Sequence, residues 1–162
     1  MRQPRFAAGR LPRSRMLLAA GCLLLATGCC SSFERDWRNA ACCGDAGGLA
    51  GRWEGTWESH VNGHRGSLRA IITPCGENQY YARYRATFAM IVPFEFELPM
   101  QATEHEGVYH FDGQADLGCL AGGNYTYYGT AAGGCYQAQY CARKDHGVFS
   151  MHRAADCCCG SQ

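Results

Sequence analysis

An Asn62-Gly63 step sits between two runs of alternating polar and apolar residues, Gly51 to Val61 and His64 to Thr73. Asn-Gly in such a setting is the strongest short-range signal for a β-hairpin, because a type I′ turn needs positive φ at both central positions. A two-residue loop predicts that Val61 faces His64. Trp57 then faces Leu68, Gly55 faces Ala70 and Trp53 faces Ile72, giving one apolar face. The other face pairs Glu58 with Ser67, Thr56 with Arg69 and Glu54 with Ile71. Side chains repeat every two residues along a strand, so a one-residue slip would mix the faces.

The same alternation recurs down the chain. Thr73 to Asn78 reads as a turn, and Tyr80 to Phe88 as a third strand with Tyr80, Ala82, Tyr84, Ala86 and Phe88 on one face. Phe94 to Met100 is a fourth strand; pairing Phe88 with Phe94 sets Ala86 against Phe96, Tyr84 against Leu98 and Ala82 against Met100. The opposite face then pairs Arg85 with Glu97 and Thr87 with Glu95, which specifies register more than it stabilises. Gly107 to Ala115, Asn124 to Ala131, Gly134 to Ala142 and His146 to Arg153 complete eight strands. A two-residue Ala132-Gly133 turn would set Gly129 against Tyr136, Tyr127 against Ala138 and Tyr125 against Tyr140. A turn near Lys144-Asp145 would set Tyr140 against Phe149 and Ala138 against Met151. Short strands joined by short turns predict an all-β fold: an eight-stranded antiparallel up-and-down meander. Closing it into a small barrel removes its two sticky edges.

The amino terminus carries an address. Arg2, Arg5, Arg10, Arg13 and Arg15 form a basic segment, and Met16 to Gly28 is apolar but too short to span a bilayer. Leu25-Ala26-Thr27-Gly28-Cys29 resembles a bacterial lipobox, which implies a lipoprotein signal peptide over residues 1–28 and lipidation of Cys29. The resulting expectation is a protein of the cell envelope, on the periplasmic side, lipid-anchored to the outer membrane rather than the inner. Residues 29–48 read as a short helix and a Gly/Cys-rich linker, residues 49–154 as the β-barrel domain and residues 155–162 as a Cys-rich tail. In the helix, Phe33 and Trp37 share a face, and Ser31 with Glu34 fits a capping box.

Removing the signal leaves ten basic against 14 acidic residues, a net charge of −4. No basic stripe then remains to neutralise phosphates, so nucleic acid is not an expected partner. Ten cysteines follow Cys29, too many for a reduced compartment, and none forms a Cys-x-x-Cys pair. Disulfides are the simpler reading. In a meander Cys119 and Cys141 fall at one end, which makes them a candidate disulfide if their Cα atoms lie about 4.4–6.8 Å apart. Closure would also bring Cys42-Cys43 towards Cys157-Cys158-Cys159, whereas nothing makes Cys75 and Cys135 neighbours.

The chain also resembles the calycin-type barrels, the lipocalin and avidin group. Its first strand opens with Gly51-Arg52-Trp53, matching their Gly-x-Trp, and Arg153 ends the last strand where that group places a basic residue over the tryptophan. The resemblance implies that Trp53 and Arg153 meet at the barrel closure. The whole chain is similar to small lipoproteins of planctomycete-type bacteria, a resemblance that supplies no activity.

Catalytic constellations are lacking in the sequence. His60, His64, His105, His110, His146 and His152 form no His-x-His or helical His-Glu-x-x-His pattern, so solvated surface outweighs a metal site. Glu95 and Glu97 balance Arg85 and Arg83, and no Gly-x-Ser-x-Gly elbow occurs. Gly118 to Gly123 lacks the Lys-Ser/Thr ending of a phosphate cradle. No catalytic residue, cofactor or metal is therefore expected. The remaining feature is the inward aromatic face. Trp53, Trp57, Tyr84, Phe88, Phe96, Tyr109, Tyr125, Tyr127, Tyr140 and Phe149 are the candidate pocket for a small apolar ligand; the competing reading is a filled core. A non-enzymatic barrel binding such a ligand or a protein partner is the leading expectation. The alternative is a purely structural or interaction lipoprotein crosslinked by disulfides.

Overall fold

Eight antiparallel strands follow one another around a closed barrel, each bonded to its neighbours in sequence and the last to the first. They are β1 (Gly51–Ser59), β2 (Arg65–Gly76), β3 (Gln79–Phe88), β4 (Val92–His105), β5 (Val108–Asp116), β6 (Asn124–Ala132), β7 (Cys135–Ala142) and β8 (His146–Arg153), preceded by helix α1 (Ser32–Ala40). The computed structural model describes residues 32–40, 48–88, 92–116 and 123–155. The lipobox and Cys29, the capping Ser31, Cys42-Cys43, Cys119 and Cys157-Cys158-Cys159 lie outside the described residues. Among the described residues there is no disulfide; Cys75, Cys135 and Cys141 are exposed free thiols.

The inward faces are those the alternation predicts, but four hairpin registers differ from the predicted ones by two residues. Trp57 pairs with Gly66, Gly55 with Leu68 and Trp53 with Ala70, not with Leu68, Ala70 and Ile72. The cause is Ser59. Its buried hydroxyl donates to Asp145 Oδ1 at 2.6 Å and accepts from the Val61 and Asn62 amides, while its own amide bonds to His64 O. The loop is thus His60 to Gly63, four residues, and only Gly63 takes positive φ. In the β3–β4 hairpin Arg85 faces Glu95 and Ala86 faces Phe94, because β4 begins at Val92 rather than Phe94. The β6–β7 turn is Gly133-Gly134, both at positive φ, so Ala131 faces Tyr136, Gly129 faces Ala138 and Tyr127 faces Tyr140. Across β7–β8, Ala138 faces Phe149 and Tyr136 faces Met151. Each error is even, so no side chain changes face. Two connections are also shorter than predicted: β2 runs on past Pro74, and β4 runs on to a Glu106-Gly107 turn with φ of 52° and 80°.

The interior is built by setting rings over glycines. Trp57 pairs with Gly66, Phe111 with Gly129, Tyr127 with Gly113 and Tyr140 with Gly147. A β-carbon on any of these four glycines would lie 2.5 to 2.8 Å from the partner's side chain. Rings lying flat across glycine-kinked strands let the sheet curl to closure. With them Trp53, Leu68, Ile72, Tyr84, Met100 and Tyr136 fill the base and middle of the barrel.

Helix α1 is docked on the outside of the barrel rather than serving as a connector, and the compact unit starts at Phe33. Phe33 and Trp37 stack 5.8 Å apart and are buried with Ile71 and Ala154. Guanidinium groups cover them: Arg69, Arg83 and Arg85 lie within 6.0 Å of the Phe33 ring, and Arg52 and Arg69 within 5.1 Å of Trp37. Glu34 accepts from Arg69 and Arg85, while Arg83 joins Asp36 and Glu95. The Arg69 hydrogen bond holds the Glu34 carboxyl below the usual carboxylate range, against burial, which raises it. These half-exposed pairs add at most about 1 kcal/mol each, so burial of the two rings, about 3–6 kcal/mol, holds the helix.

Closure runs along β1 and β8, from Trp53–Arg153 to Ser59–Gly147. Arg153 lies over the Trp53 ring, 4.2 Å from its centroid. Its two terminal nitrogens donate to Ala50 and Gly48 carbonyls, and Trp53 Nε1 donates to Leu49 O at 2.9 Å. Replacing Arg153 by Ala removes a cation–π contact and two charge-assisted hydrogen bonds, so urea unfolding should show a loss of about 3–5 kcal/mol. Arg153→Lys should recover less than half, because an ammonium is a point donor without the planar fork. A loss below about 1 kcal/mol for Arg153→Ala would contradict this role of the seam.

Candidate functional site

The two ends of the barrel differ. At the base, where β1 begins and β8 ends, Trp53, Tyr136 and Phe111 pack with centroids 5.5 and 4.6 Å apart and are 3 % exposed or less. In the middle the hydroxyls of Tyr84 and Tyr136 share a hydrogen bond of 2.7 Å. At the opposite end, the mouth, aromatic rings climb to the surface. Phe94 stacks on Phe96 (5.6 Å), Phe96 on Tyr84 (5.0 Å), and Tyr84 meets Phe149, which stacks on Tyr140 (5.0 Å) beside Tyr125. Phe88 lies against Trp57 and takes the edge of His64 at 4.9 Å. Phe88 and Phe94 are each 44 % exposed, and Val61 on the neighbouring turn is 54 % exposed.

This rim exists because one ladder stops early. Among the described residues the β4–β5 register runs only from His105–Val108 to Gln101–Asp112. The next β4 residue towards the mouth that could pair in this alternation is Pro99, which has no N–H to give. Its carbonyl accepts instead from the Tyr127 hydroxyl at 2.7 Å, reaching across Gly113. Beyond that point Gly113–Asp116 pairs only with β6, and Phe94–Leu98 only with β3. The β4–β5 ladder therefore ends at this level, and Phe94 and Phe96 lie on the stretch of β4 beyond it.

The ten candidate pocket residues do not share one cavity. Trp57, Phe88, Phe96, Tyr125, Tyr140 and Phe149 gather at the mouth with Tyr84 beneath them. Trp53 belongs to the sealed base. Tyr109 is half-buried near Gly48 at that same end, and Tyr127 is tied into the wall. Phe94 points inward by alternation but overhangs the rim, as does Phe88. Val61 and the outward Tyr81 and Tyr128 are the remaining large exposed hydrophobic groups among the described residues, and alternation places none of them in the pocket. Exposure at a strand end depends on strand lengths and stagger, which alternation does not encode.

The mouth's polar groups are structural. Asp145 accepts from Ser59 and, at 3.2 Å, from Tyr140, which closes the turns around the rim. His60 and His146 meet edge to face at 5.9 Å on the adjoining turns. Among the described residues no group of three His, Cys, Asp or Glu side chains is arranged to hold a metal, and no helix is long and apolar enough to cross a membrane. No protein-family model matches this chain, and no curated protein or solved structure matches it either.

Burial pushes the phenols of Tyr84, Tyr127 and Tyr136 above their ordinary pKa of 10.0. Tyr140 is raised by burial and then by Asp145. A folded-state pKa above the unfolded one means that the stabilisation is complete below pH 10 and is lost as pH climbs beyond it. Each such tyrosine gives a slope of up to about 1.4 kcal/mol per pH unit, so the four together approach about 5.6. Urea unfolding between about pH 8 and pH 11 should show stability flat and then falling steeply, with tyrosinate absorbance rising on unfolding. Full tyrosinate absorbance in a barrel that remains folded would contradict the burial of these hydroxyls.

Proposed function

We propose that this is a lipid-anchored envelope protein, tethered through Cys29 on the periplasmic side of the outer membrane. Its calycin-like barrel is non-enzymatic and takes up a small apolar or aromatic ligand, or the apolar segment of a partner protein, at the mouth. One observation carries the reading: Phe88 and Phe94, each 44 % exposed, end two separate ring contacts at the mouth, Phe88 on Trp57 and Phe94 on Phe96, where the β4–β5 ladder has stopped, while the base is filled and covered. The lipobox carries the anchor. The alternative, a structural lipoprotein crosslinked to neighbours, is favoured by the three exposed thiols Cys75, Cys135 and Cys141.

The test uses the purified full chain and an environment-sensitive hydrophobic fluorophore. The probe should bind saturably, and Trp57→Ala with Phe94→Ser should weaken it at least about tenfold at unchanged fold. No saturable binding, or binding indifferent to both changes, counts against the mouth. Cys29→Ser should abolish fatty-acid labelling and detergent partitioning; a variant still labelled would disprove the anchor. Disulfide-linked adducts on non-reducing electrophoresis of membranes, with no probe binding, would favour the alternative.

A further inference from the structure

Helix α1 runs down the barrel wall with its amino-terminal end towards the mouth. Glu34, in its first turn, accepts from Arg69 and Arg85, which pair with each other across β2 and β3. Asp36 and Trp37, further along, meet Arg83 and Arg52, which lie one step closer to the base. Along β3, Phe88 stands three residues above Arg85, about 10 Å, and the base turn at Gln79 lies six residues below it, about 20 Å. Cys29 precedes Glu34 by five residues, a reach of at most about 18 Å when fully extended. An anchor on Cys29 therefore reaches the level of the rim and falls short of the base.

The two ends of the barrel also differ in charge and in apolar exposure. The large exposed hydrophobic side chains that carry no polar group, Val61, Phe88 and Phe94, all stand at the mouth. Exposed cations stand with them: Arg143 and Lys144 on the β7–β8 turn, and Arg65 at the start of β2. Of the acids at this end, Asp145 is bonded to Ser59 and Tyr140, Glu58 faces Arg65 and Asp116 ends β5. The turns at the base carry Glu77 and Glu106 and no lysine or arginine. An anionic surface attracts the first end and repels the second.

We propose that the mouth is a membrane-docking surface. Val61, Phe88 and Phe94 enter the headgroup boundary of the bilayer that holds the anchor, and Arg65, Arg143 and Lys144 meet anionic lipid headgroups. This rests on the Cys29 anchor of the reading above and gives the mouth its partner. A rim of three apolar side chains holds a bilayer weakly by itself, but the short leash to Cys29 makes that contact intramolecular and so raises its effective concentration. The barrel then stands mouth down, with its base towards the periplasm.

The experiment is NMR of the lipidated protein in nanodiscs of phosphatidylcholine with phosphatidylglycerol, with a spin label carried either on a lipid headgroup or free in the water. The lipid-borne label should broaden the amides of His60 to Arg65 and Arg143 to His146 several-fold more than those of the base turns, and the water-soluble label should do the reverse. Phe88→Ser with Phe94→Ser should cut the broadening at the mouth several-fold. Arg143→Gln with Lys144→Gln should cut it only where phosphatidylglycerol is present. The unfolding midpoint of each variant reports its fold, and the charge variant stands alone if the apolar one is unstable. The mass of the protein reports its acyl chains separately. Acylated protein whose base turns broaden as much as its mouth, whose mouth stays open to the water-soluble label, or whose pattern ignores both pairs of substitutions overturns the docking surface and leaves the anchor standing. Protein without acyl chains overturns both.

Discussion

The β1–β8 ladder is the constraint on which the rest of this barrel depends. A meander of eight strands left open would expose two unpaired edges and the apolar face between them. Pairing Trp53 with Arg153 through to Ser59 with Gly147 removes both edges together. The same seam organises the base. Arg153 covers Trp53 and gathers the Gly48 and Ala50 carbonyls. One residue earlier, Arg52 points outward, donates to Ala155 O at 2.9 Å and lies over Trp37. Chain entry, chain exit and helix α1 thus meet along one strand.

Closure at this small strand number leaves little room inside, and the sequence fills it with rings lying over glycines. A barrel packed in this way has no central cavity to give to a ligand at its base. Aromatic rings reach the surface where the packing ends. One such place is the mouth, where Pro99 and the Tyr127 hydroxyl end the β4–β5 ladder below Phe94 and Phe96.

Strand count, strand order, inward faces and the Trp53–Arg153 juxtaposition could all be read from the residues, because a period of two and short turns leave few alternatives. Registers could not, and the reason is local. Ser59 looks like one more strand residue until Asp145, 86 positions away, bonds its hydroxyl and lengthens the Asn62-Gly63 loop. Gly133-Gly134 and Ala132-Gly133 are equally plausible turns until the paired strands choose between them. The docking of α1 was invisible for a related reason. Arg69, Arg83 and Arg85 sit on two strands and make a surface only after those strands pair. The candidate site was half legible: alternation identifies which aromatics point inward, but not which of them reach the rim.

Native-state hydrogen exchange tests the central claim, a barrel fastened at the β1–β8 seam and without ladder bonds along the upper β4–β5 edge. Amides that bond across β1–β8, from Trp53 to Ser59 and their β8 partners, should exchange only through global unfolding. Those of Phe94 to Leu98 and Gln114 to Asp116 that face the unbonded β4–β5 edge should exchange through local opening, orders of magnitude faster. Fast exchange along the seam, or β4–β5 edge amides as slow as the seam, would contradict this account.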